Sequence, residues 1–369
     1  MKSIVIAGAS LRISPYVFPY IDELLEQGSD VTVVVWVRDG IDDINLSENV
    51  RFVRYNELLD DSAPKLKKLG AFLRFRRVVM EELLHRKYDF VVVLDTQFAV
   101  LFSDVLLKKY KNRFVYDMRD PSYEAYGFYR KRVAQIVDAS LGVFISSDGF
   151  RRYLPNSAKI HTTHNIRKAD LGQCGVRSDL DRNHLPIRIS FWGCVRDREI
   201  NEKLLGALAN DDRFVIQYFG TMNGDSKRII DFCKERDIAN VVFSGRYQPD
   251  DRYRFAKNTE LIHNIYSNSY TGHNPCVGNK YYDGIVFQIP QICLTGGYMG
   301  ELVSKQGVGM SVNITDTLGD ALWEYYQSIN WDEFNACCEM VLSHVVDEYA
   351  TTASGLRKII AMCRNGKSQ

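Results

Sequence analysis

A chain of 369 residues, 46% hydrophobic and 25% charged, has apolar material for two domain-sized cores, since single domains run to roughly 100–200 residues. The formal charge is only +1, but residues 1–168 hold 26 Lys/Arg against 21 Asp/Glu and the remainder 21 against 25, which points to a surface for anionic partners on the front half rather than to a nucleic-acid binder. Eight cysteines with no C-x-x-C pair, unclustered with the seven histidines, speak against a disulfide framework or zinc site and suit free thiols in a reducing cytosol.

The chain opens on MKSIVIAGAS, whose apolar run is too short for a signal peptide and reads as a strand over Ser3–Ala7. A loop follows, then Ser14-Pro15, an N-cap with proline at the first helical position. Further strands are expected at Asp30–Val37, Val50–Arg54, Phe90–Leu94, Phe114–Tyr116 and Leu141–Ile145, alternating with amphipathic segments. Polar residues from Lys168 to Pro186 interrupt this alternation. The pattern restarts with IRISFWG, RFVIQYFG, NVVFSG, LIHNIYS, PQICL and GMSVNI, and ends in a long helical period over Trp331–Met362. The expected fold is α/β with two Rossmann-like domains: an N-terminal domain over 1–168, a linker over 169–186, a C-terminal domain over 187–345, and a last helix over 346–369 packing back across the first domain. No stretch approaches the roughly 18 apolar residues that cross a bilayer, so membrane contact is expected to be peripheral.

Several chemistries lack their motif. There is no G-x-G-x-x-G after the first strand, no G-x-x-x-x-G-K-[ST], no H-E-x-x-H and no G-x-S-x-G. What the second half does carry is three strands that end in glycine, in FWGCVRDREIN, QYFGTMNG and NVVFSGRY, which puts Gly193, Gly220 and Gly245 where backbone approaches a ligand beyond a sheet edge. Arg196, Arg198 and Arg246 accompany them, and guanidinium groups suit a diphosphate. A helix beginning near Asn279 would carry Lys280 and Asp283 on one face, the lysine able to meet phosphate and the carboxylate ribose hydroxyls; a plain surface ion pair has the same spacing. TGGYMGELV then places a flexible glycine pair at a helix start, where backbone amides and the helix dipole form a phosphate site.

In the order FWGCVRD, NKYYDGIVFQIP, TGGYMGELV the second half resembles the GT-B glycosyltransferases, particularly those like family 4, in which two Rossmann-like domains face one another across a cleft; Gln288 stands where glycine is commoner. The resemblance implies a glycosyltransferase of the hexosyl type, metal-independent and retaining, that moves a sugar from a nucleotide-sugar donor to a glycan or lipid-linked acceptor in surface polysaccharide synthesis, with no cofactor. It implies that Arg196 and Lys280 hold the donor diphosphate, that Asp283 binds the ribose, and that the Gly296–Met299 backbone, with Gly297, Tyr298 and Met299, meets phosphates or sugar. Glu301 is a further candidate there. Asn264 to Tyr266 and the Gly245–Tyr247 turn, with Arg246 and Tyr247, would lie near the base. The family's first glutamate, eight positions before Asp283, is replaced by Pro275, with His273 or Asn274 as substitutes.

In the front half, VYDMRDPSYEAYG puts Asp117, Arg119 and Asp120 just beyond a strand. Arg119 and Asp120 are the catalytic candidates, Asp120 facing the acceptor as base or orienting group, an Asp-Pro turn or helix cap being the other reading; Asp95 is a similar case. His161 and His164 are expected to pack. The segment KLKKLGAFLRFRRVVMEELL reads as a basic amphipathic helix whose Lys65, Lys67, Lys68, Arg74, Arg76 and Arg77 could meet an anionic leaflet, which would put the protein in the cytoplasm, peripheral on the inner face of the cell membrane, while the same helix could simply cover its own core. Two competing readings are a nucleotide-sugar epimerase on the same scaffold and an inactive sugar-nucleotide-binding subunit.

Overall fold

The computed structural model describes residues 1–11, 14–41, 48–60, 63–166, 170, 184–222, 224–268 and 274–365; most of the expected linker, with Cys174 and His273, lies outside them. The chain divides into two compact units, one formed by Met1–His164 with Asp347–Gln369 and the other by Asn165–Val346.

The first unit is built on a parallel sheet of strands β1 (Lys2–Ala7), β2 (Asp30–Val37), β3 (Val50–Asn56), β4 (Phe90–Leu94), β5 (Phe114–Met118), β6 (Gly142–Ile145) and β7 (Ile160–Thr162), in the order β3-β2-β1-β4-β5-β6-β7. Its central strands are apolar on consecutive residues because helices cover both faces of a parallel sheet, and Phe90 to Leu94 are buried without a break. Helices α1 (Phe18–Glu26), α2 (Lys65–His85), α3 (Thr96–Leu101), α4 (Ser103–Lys108) and α5 (Gly127–Ala139) complete the crossovers. In α2 the buried residues are Ala71, Phe75, Val79 and Leu83, one per turn, so a single narrow stripe seats the helix. Phe75 from that stripe stacks on Trp36 of β2 at 5.2 Å. Ser14 does not cap α1: a short 3-10 turn over Pro15–Val17 intervenes, and the Ser14 carbonyl takes the Val17 amide.

The second unit repeats the plan with β8 (Ile187–Trp192), β9 (Phe214–Phe219), β10 (Val241–Phe243), β11 (Leu261–His263), β12 (Gln291–Leu294) and β13 (Gly309–Val312), all parallel, ordered β10-β9-β8-β11-β12-β13. Its helices are α6 (Arg198–Ala207), α7 (Arg228–Glu235), α8 (Arg252–Ala256), α9 (Asn279–Val286), α10 (Tyr298–Lys305) and α11 (Leu318–Ser328). One sheet face, through Ile187, Ile189, Phe214, Ile216 and Tyr218, packs on Leu204, Leu205, Ile229 and Cys233 of α6 and α7. The last helix, α12 (Trp331–Asn365), supplies Phe334, Cys338 and Val341 as buried residues of the second unit and Leu356, Ile359 and Ile360 to the core of the first. Seven described cysteines carry free thiols, and no described helix is long and apolar enough to cross a membrane.

Candidate functional site

Parallel strands deliver their loops to one edge of the sheet, and in the second unit that edge gathers most of the residues singled out above. Gly193 follows β8 with φ +132 and Gly220 follows β9 with φ +142, both in left-handed backbone that disfavours a side chain. The close approach at Gly220 is to protein, not to open space: a Cβ there would lie 1.7 Å from the Gly193 carbonyl oxygen. The Gly220 amide in turn donates to the Gly245 carbonyl at 2.6 Å, so the three glycine turns are laced side by side as the strand order requires.

Lys280 is the centre of the site. It enters on the first turn of α9, is only 5% exposed, and its ammonium sits 3.8 Å from the Phe191 ring centroid and 4.7 Å from that of Tyr266, whose hydroxyl accepts its hydrogen bond. Burial lowers its pKa to about 7, against the opposing pull of Asp283 and the thiols of Cys293 and Cys194. Arg196 is exposed on the turn after β8, and its charge reaches both Lys280 and Tyr266. Arg198 turns away onto Glu202 of its own helix at 2.5 Å. Arg246 is also elsewhere: with Tyr247, Arg188, Gln217, Phe219 and Arg254 it lines a groove of about 410 Å³ on the half-exposed sheet face. Tyr247 stands edge-on to Phe255 at 5.2 Å, and the field of Asp283 reaches it, so it borders both places.

Asp283, three residues after Lys280, is buried, and burial pushes its carboxyl up to about 6 although Arg252 opposes the shift. Arg252 joins the Asp283 carboxylate through Nη1 and Asp170 through Nη2 at 2.7 Å, while the Tyr253 hydroxyl donates to Asp170 at 2.7 Å. The expected ribose ligand is thus held in a buried ion triad whose other members the sequence did not single out. Gly284 packs against Gln291, and Gln288, with φ +53, takes at the end of α9 the left-handed turn that a glycine would adopt freely.

The turn before α10 has Gly296 at φ +78, and the helix starts at Tyr298 with Glu301 exposed in its first turn. Of its first amides, that of Tyr298 is already given to the Asn274 carbonyl at 3.0 Å, so the expected Gly296–Met299 backbone site is narrowed; Gly297, Met299 and Gly300 hold the remaining positions where helix amides have no internal acceptor. Asn264, expected near the base, is fully buried, donating to Gln291 at 3.0 Å with its Oδ1 unpartnered. Asn279 is exposed at the start of α9.

In the first unit, Arg119 is not an open catalytic group. It is 7% exposed, lies over the Tyr16 ring at 4.4 Å, and grips Asp117, which also receives the Tyr20 hydroxyl. Asp120 is exposed one residue on. Asp95, ending β4 with φ +69, is pushed up to about 7 by burial first and then by Asp120 and Asp117. His164 bonds Glu348 at 2.8 Å and His161 lies against Phe144 at 5.8 Å, both as packing groups of that unit.

No family model and no curated protein sequence matches the chain. Solved structures match it over nearly its whole length. Sucrose-phosphate synthase from Thermosynechococcus elongatus superposes with a TM-score of 0.73 at 14% identity, covering 98% of this chain and 100% of that one. HepE of Anabaena, in complex with UDP, gives 0.64 at 12% identity over 97% and 100%. The lipopolysaccharide outer core galactosyltransferase WaaB gives 0.61 at 12% identity over 96% and 99%. The chain has the fold of the GT-B glycosyltransferases. At these identities the likeness extends to the two α/β units and their strand order, and the chemistry of the GT-B chain has to be argued from its own residues.

Proposed function

We propose that this protein is a glycosyltransferase whose second unit binds a nucleotide-sugar donor by its diphosphate. One observation carries the reading: Lys280, a buried cation whose hydrogen-bond partner is a neutral hydroxyl, at the sheet edge and within reach of the charge of Arg196. Holding a buried ammonium without a bonded carboxylate is costly, and an arriving anion repays the cost. The start of α10 adds amide donors and a dipole of the same sign. UDP bound to HepE, a protein of the same fold, supports a nucleoside diphosphate as that anion.

The donor is a hexosyl nucleotide. Arg196, Lys280 and the α10 amides stabilise the leaving diphosphate electrostatically, which removes the need for a divalent metal or other cofactor. Asp283 exchanges part of its bond with Arg252 for the ribose hydroxyls, and Tyr247 borders the base. Transfer proceeds with retention, the donor phosphate taking the acceptor proton. The acceptor is a glycan or lipid-linked saccharide of a surface polysaccharide or lipopolysaccharide, bound by the first unit, with Asp120 and Asp95 orienting its hydroxyl; WaaB, of the same fold, is named for such a pathway. The protein works in the cytoplasm at the inner membrane face, which α2 meets.

Titration calorimetry with UDP-, GDP-, ADP-, CMP- and TDP-linked sugars tests the reading. Binding of one of them, strongly weakened in Lys280→Ala, is the expected result; no binding by any of them rejects it. An epimerase would convert the bound nucleotide sugar with no acceptor present, and a binding subunit would turn over neither.

A further inference from the structure

We propose that Asn201 is the positioning residue of this donor site: its carboxamide holds the Arg196–Asp197 turn, and with it the arginine that meets the diphosphate. The inference rests on the donor-site reading above and adds what keeps that site in shape.

Asn201 stands early in α6 and is 2% exposed, on a helix whose neighbouring Leu204, Leu205 and Leu208 all enter the apolar core. A leucine would be the ordinary occupant of such a position. The amide instead makes four hydrogen bonds. Its Nδ2 donates to the Arg196 carbonyl at 2.8 Å and to the Asp197 carbonyl at 3.0 Å. Its Oδ1 faces the Tyr218 hydroxyl at 2.9 Å and the His263 Nε2 at 3.0 Å. Orientation is dictated from both ends. Backbone carbonyls accept only, so both Nδ2 hydrogens are committed. His263 accepts the Ile265 amide at Nδ1 at 3.2 Å, so its proton is on Nε2 and points at Asn201. Burial lowers the pKa of that ring to about 3, helped by the charge of Lys280, and it stays a neutral donor over the working range. Flipping the amide would break both turn contacts and the contact to His263.

What the amide grips is a turn under tension. Asp197 has φ +55, unfavourable for a residue with a side chain, and Arg196 is exposed while its charge reaches Lys280 and Tyr266. Ser226 holds the preceding carbonyl, that of Val195, at 2.8 Å. The turn is therefore fixed from two sides, and a fully satisfied buried network is rigid where a partly satisfied one is not.

The test is a double-mutant cycle in the full chain, with UDP as probe and inorganic pyrophosphate as a second, base-independent probe. Asn201→Asp keeps both acceptor contacts to Tyr218 and His263 and loses both donors to the turn. It should weaken either probe about tenfold, the worth of two neutral hydrogen bonds, and this loss should vanish in the Arg196→Ala background. Tyr218→Phe, which removes one acceptor contact and leaves the turn bonds intact, should lower Tm while keeping affinity within about twofold. Asn201→Ala, uncharged and with no donor to give the turn, is read in the same cycle should the aspartate variant not fold. The proposal is overturned if Asn201 variants lower Tm yet bind like the wild type, or lose as much in the Arg196→Ala background. If Arg196→Ala itself changes nothing, or the wild type binds neither probe, the donor-site reading falls and this inference falls with it.

Discussion

Lys280 is a lysine that its surroundings hold near neutrality, and this makes nucleotide binding depend on pH. In the free protein its pKa is lowered to about 7, and a bound diphosphate stabilises the charged form and raises it. Binding above that pH takes up a proton, so affinity is full below about 7 and falls as pH rises, by up to about tenfold per unit. Calorimetry with UDP-glucose, which has no ionisation of its own in this range, should follow that slope in the wild type and a flat line in Lys280→Met. Arg252 offers a second measurement. It separates the buried Asp170 and Asp283, and Arg252→Ala removes the cation that both buried carboxylates share. Urea unfolding should register a loss of about 3–5 kcal/mol, the usual cost of removing one partner of a buried ion pair. The Lys280 and Asp283 pairing was legible because positions three apart share a helix face. Arg252 and Asp170 were not, since they lie 31 and 113 positions before Asp283 and only folding brings them to it.

Helix α2 illustrates how an element can be read correctly as a helix while the partners of its charges stay hidden. Of its six basic residues, Arg74 pairs with Glu57 at 2.5 Å, Arg76 with Asp104 at 2.7 Å and Arg77 with Glu81 at 3.3 Å. The arginines thus face carboxylates, two of them from other elements, which a window on the helix could not reveal. What the helix does expose is Leu66, Leu69 and Leu73, at 84%, 56% and 52%, with Lys65 and Lys67 exposed among them. Those leucines recur at helical spacing, so they form a second apolar stripe besides the buried one. If α2 meets an anionic leaflet, as proposed, flotation with phosphatidylserine vesicles should drop severalfold in Leu66→Ser/Leu69→Ser and in Lys65→Gln/Lys67→Gln, and much less in Arg77→Gln. Equal flotation of all variants would remove the membrane from the proposal. The starts of α9 and α10 were legible, because Gly278 and Gly297 break the preceding pattern. The use of the Tyr298 amide by Asn274 was not, since it ties the start of α10 to a loop that precedes α9.

At the scale of the whole molecule, the chain closes on its own beginning: α12 leaves the second unit and buries Leu356, Ile359 and Ile360 against the α1 and β1 side of the first. Arg357 adds paired contacts to Glu23 at 3.0 Å. A chain ending at Val346 should therefore lose about 6 kcal/mol from those three side chains alone. Differential calorimetry should find the first unit's transition lowered or lost while UDP still shifts the second unit's transition. An unchanged thermogram would contradict the division described here. Local pattern by itself determined the α/β class, two sheets, nearly every strand core, and the helix that carries Lys280 and Asp283, because side-chain periodicity and glycine breaks are properties of neighbouring residues. Tertiary structure alone decided which charges are spent and which are held ready: Arg74 on Glu57, Arg76 on Asp104, Arg252 between two carboxylates, and Lys280 among aromatic rings. Burial and long-range partners set the energy of a charge, and neither is written in the residues beside it.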